Sequence, residues 1–311
     1  MGGTAFIFPG QGSQYPGMGK DLADNFAIVR HAFEEADDAL GIRLSRIIFE
    51  GPESDLQLTE NTQPALLATS IAFLRLLVTE TGLSPEYLAG HSLGEYSALV
   101  AAGAIDFGDA LRTVRLRGTY MQDAVPVGTG AMAAVLGVEA EVVAEVCSEA
   151  AQGEVVVPAN FNCPGQIVIS GHATAVQRAI EIAKARGIRK VLLLPVSVPS
   201  HCSLMNSAGE KLAATLEAVQ VMPLQVPVVS NVEGKPYTEA EQVRPLLVAQ
   251  ISSPVLWEMS VREMTAKGVT RCVEIGPGKV LSGLVKKIDK ELNIRHFDDL
   301  AGFKAISEEV A

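Results

Sequence analysis

The chain has 311 residues, 48% hydrophobic and 20% charged, a composition typical of a globular protein and not of a disordered or fibrous one. The formal net charge of −11 argues against nonspecific nucleic-acid binding, and no run of about eighteen or more apolar residues indicates a membrane span. The N-terminus lacks the basic flank and cleavage pattern of a secretion signal. The four cysteines lack C-x-x-C spacing, so we expect a cytoplasmic protein.

The first predicted element is a strand, Thr4–Phe8, which runs into a loop rich in glycine and proline over residues 9–14. This loop is either an ordinary strand-end turn or a segment whose backbone and Gln11 side chain approach a ligand closely. The next predicted elements are two helices, an amphipathic one over Asp21–Ala39 and a long one from Asn61-Thr62-Gln63-Pro64 to Gly82.

The stretch Gly90-His91-Ser92-Leu93-Gly94 is a G-x-S-x-G pattern between an apolar strand and an amphipathic run. In a nucleophile elbow the serine sits on a sharp strand-to-helix turn, and both glycines are needed because the backbone passes too close for a Cβ. The following helix directs its positive N-terminal end toward Ser92 and favours negative charge there. We interpret Ser92 as a nucleophile; the alternative is an ordinary tight turn.

The helix predicted over Asp109–Met121 carries one arginine, Arg117, within its apolar stripe. An arginine in this position is costly to bury without an anion. Arg117 has two structural interpretations: it forms a buried ion pair, or its apolar stem extends so that the guanidinium reaches the surface. In the functional interpretation, the guanidinium binds a substrate carboxylate through two parallel hydrogen bonds. The rest of the stripe is Ala110, Val114 and Met121, and the polar side carries Arg112 and Arg115.

From about residue 128 the pattern changes to strand-helix-strand-strand-helix-strand, which is the order of a ferredoxin-like unit. We predict a subdomain over residues 128–197 inserted into a larger core formed by residues 1–127 and 198–311. Further core strands are predicted over Val226–Val229 and Thr270–Ile275. The subdomain elements are Ala131–Leu136, Glu139–Ala151, Val155–Ala159, Gln166–Ser170, Ala173–Arg186 and Lys190–Val196.

A serine hydroxyl is a weak nucleophile until a base takes its proton, and histidine is the usual base. His201 lies on a proline-flanked loop directly after a predicted strand, whereas His91 adjoins Ser92 and should point to the opposite side of the strand. Elimination therefore leaves His201, although a lone histidine is more often structural. The remaining histidines, none beside a loop at the expected active end of the core strands, are His31, His172 and His296.

No Asp or Glu stands out on a strand-end loop where it would orient His201. We therefore favour a Ser–His dyad in which a carbonyl oxygen holds the imidazole N–H. Gln250 is a candidate for this role, although on sequence alone an exposed loop glutamine is the simpler interpretation.

Five motifs follow one another along nearly the whole chain: Phe8-Pro9-Gly10-Gln11-Gly12-Ser13-Gln14, Gly90-His91-Ser92-Leu93-Gly94-Glu95, Val198-Pro199-Ser200-His201, Ser230-Asn231-Val232 and Glu274-Ile275-Gly276-Pro277-Gly278. Together they resemble the malonyl-CoA:acyl-carrier-protein transacylases of bacterial fatty-acid synthesis, in the same order as in that family. The length is similar to that of the free-standing enzymes.

The resemblance implies an α/β-hydrolase-like core with a parallel sheet and an inserted ferredoxin-like subdomain. It also implies that Ser92 is acylated, that His201 is its base, and that the main-chain carbonyl of Gln250 orients His201. The implied reaction is ping-pong, from malonyl-CoA through an acyl-serine to the phosphopantetheine thiol of acyl carrier protein. It requires no metal and no redox cofactor.

For binding, the resemblance implies that the Leu93 backbone N–H and Gln11 form an oxyanion hole and that Arg117 binds the malonyl carboxylate. In related synthase domains, a serine at the position of Ser200 often goes with methylmalonyl units. Free-standing malonyl enzymes share this serine, so we expect malonyl.

We expect the carrier protein to be acidic, so that this acidic chain needs a local basic patch to bind it. The candidates at the end of the second subdomain helix are Lys184, Arg186, Arg189 and Lys190. The alternative is that these cations complement the C-terminus of the helix. We expect neither nucleic acid nor membrane as a partner, and a monomer.

Two other functions fit parts of the pattern. A serine hydrolase uses the same elbow and Ser–His pair, with water as the second acceptor. A module that binds carrier protein without catalysis would need only a relic of the elbow. The presence of Ser92, His201, Gln11 and Arg117 argues against this second alternative.

Overall fold

Two separate β-sheets organise the chain in the computed structural model, which describes residues 2–196 and 198–310. The predicted domain limits at residues 1, 197 and 311 lie outside this range. The strands are β1 Gly3–Phe8, β2 Tyr87–Gly90, β3 Gly130–Leu136, β4 Val156–Cys163, β5 Gln166–His172, β6 Lys190–Leu193, β7 Val228–Val229, β8 Pro236–Tyr237, β9 Val269–Ile275 and β10 Asn293–Phe297. The α-helices are α1 Lys20–Asn25, α2 Ala27–Leu40, α3 Leu44–Glu50, α4 Glu53–Leu56, α5 Thr59–Thr81, α6 Gly94–Ala101, α7 Phe107–Ala124, α8 Ala140–Ala151, α9 Ala173–Ala185, α10 Asn206–Glu217, α11 Ala240–Gln250, α12 Trp257–Ala266, α13 Val280–Ile288 and α14 Leu300–Val310.

The larger sheet has the strand order β10-β9-β1-β2-β7-β8 and is parallel except for the short antiparallel pair β7–β8. Its central strand β1 is apolar and buried on both faces from Ala5 to Phe8, as expected for a parallel sheet covered by helices. The carboxyl ends of parallel strands meet at one edge. The loops after β1, β2 and β7 therefore lie side by side, and this edge carries the site.

The long helix α5 is almost wholly buried against this sheet and α7, and it supplies much of the core. Phe73 on α5 stacks on Phe297 of β10 with ring centroids 5.1 Å apart. Within the described residues, α5 is the one helix long and apolar enough to cross a membrane. However, 78% of the window that meets this test is buried inside the protein, as in a core helix.

The smaller sheet is antiparallel with the order β4-β5-β3-β6, and it has its own apolar core under α8 and α9. The predicted strand-helix-strand-strand-helix-strand order is confirmed. Strand β4 is also hydrogen-bonded to Val255, which lies outside the small sheet. The Phe161 N–H donates to the Val255 carbonyl and the Val255 N–H donates to the Ala159 carbonyl, both at 2.9 Å. One edge of the small sheet is thus hydrogen-bonded to the segment between α11 and α12.

The prediction of one helix over Asp21–Ala39 is wrong, because Phe26 is extended at φ −126° and ψ 119° and separates α1 from α2. The Phe26 ring packs edge-on against Phe303 of the C-terminal helix, with centroids 5.3 Å apart. This long-range contact overrides the local helical periodicity. Two predicted strands are also shorter than expected, since β7 comprises only Val228–Val229 and β6 ends at Leu193.

Candidate active site

Ser92 lies on a sharp turn between β2 and α6, so the predicted strand-turn-helix arrangement is confirmed. Its φ of 51° is in the left-handed region, which costs a non-glycine residue about 1–3 kcal/mol and persists only where the surroundings enforce it. A Cβ on Gly90 would lie 1.9 Å from the Gly94 carbonyl carbon, and one on Gly94 would lie 2.1 Å from the Phe8 carbonyl oxygen. Both glycines are therefore required by close backbone approach.

Asn231, in the loop after β7, stabilises this turn. Its Oδ1 accepts from the Ser92 N–H at 2.6 Å, and its Nδ2 donates to the Gly90 carbonyl at 2.6 Å. Asn231 is 1% exposed, so both bonds are shielded from water. The sequence presents Ser230-Asn231-Val232 as one of the five family motifs, with no role assigned to Asn231. No local signal indicated that Asn231 reaches a serine 139 positions away.

His201 is buried beside Ser92, with Nε2 2.9 Å from the serine Oγ. Its Nδ1 lies 2.8 Å from the Gln250 carbonyl oxygen and 3.2 Å from the Ser253 carbonyl oxygen. Because a carbonyl only accepts, these contacts place the ring proton on Nδ1 and leave the Nε2 lone pair facing the serine hydroxyl. The structure thus brings Ser92, His201 and the Gln250 carbonyl together.

The surroundings of His201 keep the imidazole neutral. Burial is the larger cause and the positive charge of Arg117 the second, and together they lower the pKa of His201 to about 3. A neutral imidazole is the form that accepts a proton. The backbone of His201 is also left-handed, at φ 63°, and its N–H donates to the Ile251 carbonyl at 3.1 Å.

Gln250 is the last residue of α11 and is fully buried, so the interpretation of an exposed loop glutamine is wrong. Its side chain makes contacts that the sequence did not predict. Nε2 donates to the Ser92 carbonyl at 2.9 Å and to Glu95 Oε2 at 2.6 Å, and Oε1 accepts from Arg117 Nη2 at 3.1 Å. One residue therefore contacts the elbow, the histidine and the arginine.

Arg117 on α7 is 0% exposed, so its stem does not carry the charge to the surface. Nη1 donates to Gln63 Oε1 at 2.8 Å, and Nη2 lies 3.2 Å from Ser92 Oγ as well as bonding Gln250. These partners are all neutral, and the other described residues offer no carboxylate within ion-pair distance. The alternative of a direct structural salt bridge therefore has no partner among them. A buried guanidinium held by neutral groups is suited to bind an incoming anion.

Leu93 and Gln11, the two residues expected at an oxyanion hole, belong to the turn that carries Ser92 and to the loop after β1. Leu93 is the N-cap of α6, and the N–H groups of Gly94, Glu95 and Tyr96 donate to the carbonyls of His91, Ser92 and Leu93, so none of these bonds uses the Leu93 N–H. Gln11 is exposed, and its Oε1 accepts from Gln63 Nε2 at 3.3 Å. Gly10 lets this loop approach, because a Cβ there would lie 2.4 Å from the His91 carbonyl oxygen. Gln63 links Gln11 to Arg117 and was not predicted as a site residue, although a glutamine at the start of an apolar helix was a signal.

His91 points away from Ser92, as predicted from strand alternation. Its Nε2 lies 2.8 Å from Asn162 Oδ1 on β4, and its ring lies 5.8 Å from that of Trp257. His91 therefore connects the elbow with the small sheet. The other histidines lie elsewhere: His31 and His296 are exposed, and His172 Nδ1 accepts from the Val155 N–H at 2.9 Å.

The four cations of the expected docking patch are all exposed. Arg186 is neutralised by two glutamates of α8, at 3.1 Å from Glu145 and 2.6 Å from Glu149. Among the described residues, the cations of this surface without an ion-pair partner are Lys184, Arg189 and Lys190, so the unpaired positive charge is smaller than the sequence indicated.

Comparison with known proteins gives a consistent result. The family profile described as "Acyl transferase domain" matches residues 5–300. The malonyl CoA-acyl carrier protein transacylase of Escherichia coli (strain K12) is 50% identical over 304 residues, which is 98% of each chain. The crystal structure of the transacylase from Xanthomonas oryzae pv. oryzae is 48% identical, with a TM-score of 0.97 over 99% of this chain and 98% of the other. A malonyl-transacylase solved in complex with a type II PKS acyl-carrier protein is also 48% identical, with a TM-score of 0.97 over 99% of both chains.

Proposed function

We propose that this chain, which belongs to the malonyl-CoA:acyl carrier protein transacylases of the acyl transferase family, moves its acyl group through an ester on Ser92. As a member of this family it is an enzyme that transfers malonyl from coenzyme A to acyl carrier protein for fatty-acid synthesis. The observation that carries the route through Ser92 is the 2.9 Å contact of its Oγ with His201 Nε2, on a histidine oriented by the Gln250 carbonyl.

In the first half-reaction, His201 Nε2 takes the Ser92 hydroxyl proton as Oγ attacks the thioester carbonyl carbon. The negative charge that develops on the carbonyl oxygen is stabilised by the Leu93 N–H and by Gln11, at the positive end of α6. The C–S bond then breaks, and the coenzyme A sulfur leaves with the proton from His201. In the second half-reaction, His201 takes the proton of the phosphopantetheine thiol, the sulfur attacks the ester, and Ser92 recovers the proton.

Arg117 gives the substrate carboxylate a partner. Its guanidinium lies 3.2 Å from the oxygen that becomes acylated, so the free end of a malonyl ester on Ser92 is within reach of the cation. Arginine forms bidentate pairs with carboxylates, and in a buried site such pairs discriminate strongly between charged and neutral acyl groups. We therefore assign to Arg117 the preference for malonyl over acetyl.

The reaction balances with the substrates and these side chains alone, so we propose no metal and no organic cofactor. We place the enzyme in the cytoplasm as a monomer, and the buried, unpaired state of its four cysteines fits a reducing compartment. The surface of Lys184, Arg189 and Lys190 is our candidate for carrier docking.

We also propose a finer description of the fold. The larger sheet and its helices form an α/β-hydrolase-like core over the described part of residues 1–127 and 198–311, and the described part of residues 128–197 forms a ferredoxin-like subdomain. The antiparallel order β4-β5-β3-β6 with two helices supports the second assignment.

Intact-protein mass spectrometry tests the proposed route. Brief mixing with malonyl-CoA should add one malonyl group to the protein, and adding phosphopantetheinylated carrier protein should remove it and malonylate the carrier. A hydrolase would instead release malonate to water without carrier. Rapid loss of the adduct in buffer alone would contradict the transfer function.

A further inference from the structure

Glu95, the residue that follows the G-x-S-x-G pattern, is a carboxylate placed inside the protein at 1% exposure. Its Oε2 accepts from Gln250 Nε2 at 2.6 Å and from the Asn231 N–H at 3.2 Å. Its Oε1 has no donor among the described residues. A buried carboxylate with only one satisfied oxygen is costly unless a positive charge compensates for it.

The compensating charge is Arg117, on the far side of the Gln250 amide. The Gln250 side-chain oxygen Oε1 accepts from Arg117 Nη2 and its Nε2 donates to Glu95 Oε2, so the side-chain amide bridges cation and carboxylate. The opposite orientation of the amide would set its oxygen against the carboxylate and its NH₂ against the guanidinium. The two charges therefore fix this amide, and each stabilises the ionised form of the other.

We propose that Glu95 is the counter-charge of Arg117 in the empty site and that it takes up a proton from solvent when the substrate carboxylate binds. This inference rests on the proposed role of Arg117. Two carboxylates then share one buried cation, and like charges in a weakly screened site disfavour each other. Protonation of Glu95 relieves this repulsion without moving Arg117. Glu95 is thus a positioning residue that also tunes how tightly the arginine holds malonyl.

Glu95 titrates in the neutral pH range, where the enzyme can be assayed, because burial raises its pKa to about 7. The charged and titratable groups facing it are Arg117 from α7, Tyr96 from its own helix and Tyr237 from β8. Burial raises the pKa of Tyr96 to about 12 and that of Tyr237 well above its ordinary value, and the pKa of His201 beside Arg117 is lowered to about 3. None of these neighbours changes charge near neutral pH.

The test is the ratio of kcat/KM for malonyl-CoA to that for acetyl-CoA, measured as a function of pH. Effects of pH on His201, on coenzyme A or on overall folding change kcat/KM for both substrates equally, so they cancel in the ratio. If malonyl raises the pKa of Glu95 by about one unit, the ratio rises about fivefold from pH 8 to pH 6. A ratio that is flat or falls over this range would overturn the proposal, and this measurement needs no variant.

Two substitutions sharpen the test. Glu95→Gln keeps the shape and an oxygen that accepts both hydrogen bonds but removes the charge, so its ratio should be as high at pH 8 as at pH 6. The matched control is Glu274→Gln. Glu274 is also buried and its pKa is also raised to about 7, but it accepts hydrogen bonds from Leu281 and Ser282 at the start of α13. Glu274→Gln should keep the wild-type slope. A slope that persists in Glu95→Gln, or vanishes in Glu274→Gln, would refute the assignment.

The failure of this inference is distinct from failure of the proposed function. Arg117→Ala should lower the ratio at every pH. If it does so while the wild-type ratio is flat, only the role of Glu95 is wrong. If Arg117→Ala leaves the ratio unchanged, the carboxylate-binding role of Arg117 is wrong as well.

Discussion

The surroundings of Ser92 and the basic surface of Lys184, Arg189 and Lys190 differ in how firmly their side chains are held. Around Ser92, His201, Arg117 and Gln250 are at most 3% exposed, and His201 and Arg117 each contact both Ser92 and Gln250 within 3.2 Å. On the basic surface the side chains are exposed, and the neighbouring Arg186 is paired with two exposed glutamates.

This difference predicts how strongly substitutions in each region affect the reaction. Removing one partner of a buried polar contact leaves the other unsatisfied, whereas a surface ion pair contributes about 0–1 kcal/mol and is screened by salt. We therefore expect large, specific losses of chemistry from the elbow region. On the basic surface we expect small changes in association with the carrier. Three single variants and one double variant test this contrast.

His201→Ala should have the largest effect, because in the proposed route His201 is the base of both half-reactions. General-base catalysis contributes about 10²–10⁴-fold, so both acylation by malonyl-CoA and transfer to the carrier should slow by this order. Rapid-quench measurement of each half-reaction checks the prediction, with His31→Ala as the exposed-histidine control. A loss confined to one half-reaction would show that the two do not share this base.

Gln11→Ala should reduce kcat by about 10²–10³-fold, which is the usual effect of removing one oxyanion donor. Steady-state kinetics with malonyl-CoA measure it. Gln14→Ala in the same loop removes the acceptor of the Gly12 N–H and reports on loop distortion alone. A higher KM with unchanged kcat in Gln11→Ala would place Gln11 in ground-state binding instead.

Arg117→Ala should lower kcat/KM for malonyl-CoA by at least about tenfold, since truncating one member of a buried charge pair typically costs about 2–5 kcal/mol. Acetyl transfer should be unchanged or faster, because acetyl lacks the carboxylate and the variant lacks the buried cation. Arg112→Ala, an exposed arginine on the same helix, is the control. A thermal melt checks folding. Equal proportional losses for both acyl groups would make Arg117 a structural residue.

Reversing Arg189 and Lys190 to glutamate should have the smallest effect. We expect a several-fold slower association with carrier protein, stronger at low salt, and unchanged acylation by malonyl-CoA. Stopped-flow kinetics at two salt concentrations measure it. The control is reversal of Arg30 and Lys304, two exposed cations with the same total charge change. An equal effect of both double variants would locate docking elsewhere.

The sequence predicted the parts of the site that depend on local chain geometry. The glycines around Ser92, the apolar stripe that carries Arg117 and the proline-flanked loop of His201 are each recognisable within about ten residues. The carbonyl partner of His201 followed from the absence of a suitable carboxylate and from the family resemblance. The glycines, the stripe and the loop are each encoded by neighbouring residues, whereas the carbonyl partner lies 49 positions from His201.

The unpredicted contacts all join distant parts of the chain. Asn231 reaches the elbow across 139 positions, Gln250 reaches Glu95 across 155, and Gln63 reaches Arg117 across 54. Local patterns do not indicate which of these buried polar side chains meet, whereas Ser92 and His201, 109 positions apart, could be paired because their chemistry requires a nucleophile and a base. The same limit explains the break at Phe26, whose ring packs against the C-terminal helix.

The attachment point of the malonyl group tests the central claim most directly. The enzyme is mixed briefly with malonyl-CoA, quenched in acid, digested with trypsin and analysed by peptide mass spectrometry, with Ser92→Ala treated in parallel. We predict one malonyl group on the peptide that contains Ser92, with fragmentation assigning it to that serine, and no adduct on the variant. A malonyl group on another residue of the wild type, or stable malonylation of Ser92→Ala, would contradict the account.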